Sequence, residues 1–156
     1  MMPKKKTYLR NLLLQRSDWF EARALDKAKL HGYDRVTPAM SRMFAHMASR
    51  PIGISELARR LGVSRQAAHR TATEATLLGL AEFVPDPDHA RIVRLQLTQA
   101  GWAMSAQATR DFEALEARLK ARIGSKNLNE LKRLLAMPWD DDELPASLPV
   151  EPTAAD

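Results

Sequence analysis

The chain has 156 residues, 45% of them hydrophobic and none of them cysteine, with 24 Lys and Arg against 19 Asp and Glu for a formal net charge of +5. That length allows one domain with a substantial core. The lack of cysteine excludes disulfides, a thiol switch and thiolate metal sites, and no apolar run reaches the roughly 18 residues of a membrane span. The charge is uneven, since no basic residue follows Arg133, whereas Asp140, Asp141, Asp142, Glu143, Glu151 and Asp156 are acidic. Setting those six aside leaves 13 acids against 24 basic residues, a body of +11. Such a body points to a polyanionic partner, though charge alone does not separate nucleic acid from an anionic membrane surface.

Pro3-Lys4-Lys5-Lys6 lies in a basic arm over residues 1–7, read as disordered; it is a solubilising tail or an extra phosphate contact. Leu12-Leu13-Leu14 is too short for a signal-peptide core, so the reading is a cytoplasmic protein. From Tyr8 to about Leu30 the pattern is helical, with Leu9, Leu12, Leu13, Arg16, Phe20, Arg23, Ala24 and Lys27 on one side and Trp19 beside it. Its start carries more large apolar residues than one small core needs, which suggests a partner chain. His31 to Val36 form the exit loop, and Thr37-Pro38 is a helix start signal. The next helix places Met40, Met43, Phe44 and Met47 at spacings of three and four, as core filler or as the wall of an adaptable cleft. Ser49-Arg50-Pro51 ends it.

The most informative stretch is Ile54 to Leu80, beginning ISELARRLGVSRQAAHR. Leu57, Ala58 and Leu61 give a first helix one apolar face, Gly62-Val63 breaks it, and Ser64 is placed to cap a second helix. Along that second helix Ala68, Thr71, Ala72 and Ala75 face inward, and Arg65, Gln66, His69, Arg70 and Thr73 face outward. This is the plan of a helix-turn-helix, although the stretch taken alone also fits an αα-hairpin with a solvated face. The residues from Leu80 to Leu97 favour the helix-turn-helix. Leu80 to Val84 reads as a strand, Pro85 to Ala90 is dense in turn formers, and Arg91 to Leu97 largely alternates polar and apolar residues. A hairpin directly after a recognition helix is a wing. Thr98 then caps a helix from Gln99 to about Ile123, with Met104, Ala108, Phe112, Leu115, Leu119 and Ile123 on one stripe. Gly124-Ser125 breaks it, and Asn127 to Met137 is a last helix with Leu128, Leu131, Leu134 and Leu135 apolar. Residues 138–156 form an acidic, Pro-rich tail that cannot pack a core, with Trp139 placed to dock its start.

The segment from Pro51 to Gly101 resembles the winged helix-turn-helix of the MarR family of bacterial transcription regulators, and the order of elements fits from Tyr8 to about Trp139. The carrying pieces are the ISELARRLGVSRQAAHR stretch, Gly79-Leu80 followed by Glu82, the hairpin ending in Arg91, and LTQAG at Leu97 to Gly101. The resemblance implies a mostly α fold with a small β-wing: a single winged-helix domain over 8–137, with a DNA-binding lobe at 38–97 and dimerisation helices at 8–31 and 98–137. It implies a homodimer whose two recognition helices enter successive major grooves of a pseudo-palindromic operator in double-stranded DNA.

Base reading then falls to Arg65, Gln66, Ala67, His69 and Arg70, with Thr73 on the same face and Ser64 suited to phosphate. At the wing, His89 and Arg91 stand where the family inserts a basic side chain into the minor groove. The family's wing usually has Asp, one residue, then Arg; here His89-Ala90 separate Asp88 from Arg91, so Asp88 is not placed to brace that Arg and a looser tip is expected. The family often binds small anionic aromatics in a cleft, and the matching residues here are Trp19, Arg23, His31, Tyr33, Met40 and Phe44. Trp19 and Phe44 also fit a purely structural role. His31, His46, His69 and His89 are scattered, and no phosphate-loop, nucleophile-elbow or zinc-helix motif occurs, so no metal, cofactor or enzymatic activity is implied. The expected function is a repressor relieved by a small molecule. The alternative is an architectural or accessory winged helix that binds DNA with low sequence preference or binds protein.

Overall fold

The computed structural model describes residues 7–47 and 50–140. The basic arm through Lys6, Ser49 and the acidic tail from Asp141 onward lie outside the described residues. Six helices and three short strands run in the order α1 (Leu9–Leu30), α2 (Pro38–His46), β1 (Ile52–Gly53), α3 (Ile54–Leu61), α4 (Arg65–Leu77), β2 (Ala81–Pro85), β3 (Val93–Leu97), α5 (Gln99–Ile123) and α6 (Ser125–Ala136). The chain divides into two compact units, Met1–Phe112 and Glu113–Asp156.

In the first unit, local signals fix where each helix starts and stops. The Thr37 hydroxyl accepts from the Met40 amide at 3.2 Å and Pro38 takes the first helical position, where a missing N–H costs nothing. Gly62 stops α3 in the left-handed region at φ 65°, a conformation open to glycine at little cost. The Ser64 hydroxyl then accepts from the Ala67 amide at 3.1 Å and starts α4. Met43, Leu57 and Leu95 are fully buried, surrounded by Ile52, Ile54, Ala58, Leu61 and Ala81. Ala68, Ala72 and Ala75 of α4 complete this core, their small side chains allowing close approach of the backbone they carry.

The sheet is antiparallel in the order β1-β3-β2. β2 and β3 pair from Ala81 with Leu97 to Pro85 with Val93, and Ile52 of β1 pairs with Leu95. Pro85 has no N–H to give a ladder and sits on an edge strand, where that is tolerated. β1 is a difference from the sequence reading: two residues are too few to show an alternating pattern. α2 stops at His46, ahead of the expected exit, and α6 already begins at Ser125. Thr98 joins sheet to helix, its hydroxyl donating to the Gly79 carbonyl at 2.5 Å and accepting from the Gly101 amide at 3.1 Å.

In the second unit Leu115 and Leu128 are buried, and Lys132 bridges to Glu116 at 2.8 Å. The Trp139 indole donates to the Leu134 carbonyl at 3.3 Å, closing the end of α6 as the tail begins. Among the described residues no helix is long and apolar enough to cross a membrane.

Candidate nucleic-acid interface

α3, the turn at Gly62 and α4 form a helix-turn-helix, and the expected reading face is the solvent face of α4. Ser64, Arg65, Gln66, His69 and Arg70 are exposed, while Ala67 and Thr73 are half-buried. The Ser64 oxygen is already engaged as the cap, which leaves its hydroxyl proton to donate. Thr73 turns its hydroxyl onto the His69 carbonyl at 2.9 Å, so its donor is spent within the helix. His69 is not a free side chain: its ring stacks on Phe83 of β2, centroids 5.6 Å apart and planes 20° from parallel.

On α3, Glu56 accepts from Arg59 at 2.7 Å and from Arg60 at 2.8 Å. Hydrogen bonds from Arg59 and then Arg60 lower its pKa from 4.5 to about 2. Both arginines are therefore held along their own helix, and among the described residues the unpaired cations of the helix-turn-helix are Arg65 and Arg70 on α4.

The wing is braced by an acid and a cation that sequence reasoning missed. Asp86 is 4% exposed, the one buried charged residue among those described. Its Oδ1 accepts from the amides of Asp88 and His89 at 2.8 and 3.0 Å, and its Oδ2 accepts from the Arg94 guanidinium. Arg94 reaches on to the Pro51 carbonyl at 3.5 Å, tying the hairpin to the strand entering α3. The Arg94 hydrogen bond, then the Asp88 amide, holds the Asp86 carboxyl below its ordinary pKa. Asp88 is not the brace, as expected, yet the wing is fastened two residues earlier rather than left loose. His89 and Arg91 stand exposed at its tip, the His89 ring 3.8 Å from Asp86. The signal for Asp86 was its place between Pro85 and Pro87, since an Asp carboxylate commonly caps the amides of the turn it opens.

The six residues expected around a ligand do not converge. Arg23 lies 4.1 Å over the Trp19 ring and donates to the Trp19 carbonyl, and Trp19 meets Phe20 edge-on. Met40 is buried and Phe44 packs against the core. Only His31 and Tyr33 border the hollow between α1 and the first half of α5. Its apolar wall includes Ala24, Ala28 and Met104, and its polar end is a cluster of His31, Gln107 and Asp111. His31 stands 3.3 Å from Asp111 and 3.1 Å from the Gln107 amide nitrogen. The charged group at this hollow is thus a carboxylate rather than the expected arginine. Among the described residues no three His, Cys, Asp or Glu are grouped to hold a metal.

These features define a winged helix-turn-helix, and comparison places it. Residues 36–92 match the model of the MarR family. Uncharacterised proteins of Mycobacterium tuberculosis and Mycobacterium bovis are 37% identical over 65 residues, covering 42% of this chain and 46% of theirs. The match thus spans just under half the length of these relatives. The structure of apo wild-type MarR from E. coli is 21% identical with a TM-score of 0.67, covering 84% of this chain and 96% of that one. The YusO protein of Bacillus subtilis is 19% identical with a TM-score of 0.59, covering 82% of this chain and 89% of that one. At these identities the solved structures speak for the fold. The similarity to the MarR family thus lies in the winged-helix segment of this chain.

Proposed function

We propose that this protein is a homodimeric, sequence-specific DNA-binding transcription regulator that acts as a repressor. The observation that carries the reading is the exposed Arg65, Gln66 and Arg70 on a Ser64-capped helix, flanked by a wing whose base is pinned by Asp86 and whose tip presents Arg91. Arg suits guanine O6 and N7, and Gln suits adenine N6 and N7. Ser64 at the helix start suits a phosphate, and Arg91 the minor groove. A solved relative carrying the name multiple antibiotic resistance repressor supports repression.

Dimerisation is supported by unpartnered apolar surface in each unit. α1 has no buried residue and exposes Leu9, Leu12 and Leu14, while α6 exposes Leu131, Leu134 and Leu135. A two-fold arrangement would set two recognition helices about 34–36 Å apart.

A small ligand at the α1–α5 hollow would relieve repression by favouring a recognition-helix spacing that mismatches the operator. The Asp111–His31–Gln107 end suits an aromatic with a hydrogen-bond donor or a cation better than a carboxylate.

The test is a footprint of the purified chain on its own upstream DNA with excess unrelated duplex, alongside sedimentation at micromolar concentration. The reading expects a protected pair of half-sites and a dimer. Equal affinity for every duplex would mark an architectural module instead, and a stable monomer would remove the two-fold arrangement.

A further inference from the structure

We propose that Phe83 is a specificity-determining residue: by stacking on His69 it fixes the edge of an imidazole that reads a purine in the major groove. The proposal rests on the DNA-reading function above and assigns a role to a wing-strand residue that has no polar atom of its own to offer.

The side chains of the reading face differ in how they are held. Arg65, Gln66 and Arg70 are exposed and long, and each must give up rotamer freedom when it binds. His69 has already given up much of it. Its ring lies nearly parallel to Phe83, with 5.6 Å between centroids. The platform is firm, because Phe83 packs against the core and pairs across the sheet with the fully buried Leu95.

Stacking occupies one face of the imidazole and leaves its edge open. Neither ring nitrogen bonds another described residue. A neutral imidazole edge carries one donor and one acceptor. Guanine presents two acceptors in the major groove, and adenine an acceptor beside a donor, so a purine can meet a fixed imidazole edge. The same contact ties α4 to β2, so the recognition helix and the wing approach the duplex in one fixed relation.

The test uses the full chain and a duplex enriched from a random pool by the wild-type protein. Affinities are measured for that duplex and its single-base-pair variants, with wild type, H69A, F83L, F83Y and the H69A/F83L double variant. Leucine keeps apolar bulk on the core and loses the stack, and tyrosine restores a ring. The proposal expects F83L to lower discrimination by about two- to tenfold at the same base pair that H69A affects. It expects F83Y to restore that discrimination and F83L to add nothing in the H69A background. An F83L loss that is equal on every duplex, or that adds to H69A, would overturn it, as would an H69A variant with unchanged preferences. A wild-type protein that enriches no common sequence removes the DNA-reading function and this proposal with it. An enriched consensus read equally well by F83L removes only the role of Phe83.

Discussion

Asp86 and Arg94 join the two strands of the wing at its base, the carboxylate buried and the guanidinium half-exposed above it. The carboxylate also caps the amides of Asp88 and His89, so one side chain sets both the start of the turn and the distance between the strands. Asp86→Ala and Arg94→Ala are each expected to weaken DNA binding while leaving the helical circular-dichroism signal intact. The double variant should bind little worse than either single one, because each single change already breaks the link. Titrations of the three variants on one duplex check this, and additive losses would refute a shared role.

Gly101 is required by space. A Cβ there would stand 1.9 Å from the Leu80 carbonyl oxygen, with Leu97 also within contact, so α5 could not keep its seat on the turn before β2. Gly101→Ala is expected to cost about 3 kcal/mol or more, since the obstacle is backbone rather than a side chain that can swing aside. Urea unfolding measures it, and a loss below about 0.5 kcal/mol would mean that the helix shifts freely.

Arg70 and Arg91 should fail in different ways. Arg70→Ala is expected to cost about 1–3 kcal/mol on the preferred duplex and to relax choice at one or two positions per half-site. Arg91→Ala should weaken binding more evenly across sequences and flatten its salt dependence. Affinities on a panel of duplexes at two salt concentrations separate the two patterns.

Stability should fall in acid. Glu56 titrates near 2 when folded against 4.5 ordinarily, and Asp86 is also held low, so the folded state binds these protons less readily than the unfolded one. Their contribution is complete above the unfolded values and drains as pH falls towards about 2. The urea midpoint should therefore drop between about pH 5 and pH 2, and Glu56→Gln should flatten part of that slope. The Glu56 share shrinks in high salt because its partners are exposed.

What the sequence made legible was mostly local. Thr37-Pro38, Gly62, Ser64 and Thr98 are boundary signals that act through neighbouring amides, and each stands at or beside a helix end as read. The strands of the wing showed in their turn formers and alternation. The sequence could not show contacts made across the fold. Phe83 under His69, and Arg94 reaching Asp86 and Pro51, depend on strand register, which two short strands do not reveal in advance. The hollow between α1 and α5 was also out of reach, because its residues lie far apart along the chain. Arg23 and Trp19, one helical turn apart, pair with each other, while the hollow draws its charge from Asp111, which is 80 residues from His31 along the chain.

The central claim is that the α4 face reads sequence, and the most direct measurement is the affinity ratio between a duplex enriched by the protein and a scrambled duplex of equal length at physiological salt. A sequence-reading regulator should favour the enriched duplex by about a thousandfold or more, with Arg70→Ala collapsing much of that preference. A ratio near one, unchanged by Arg70→Ala, would contradict the account.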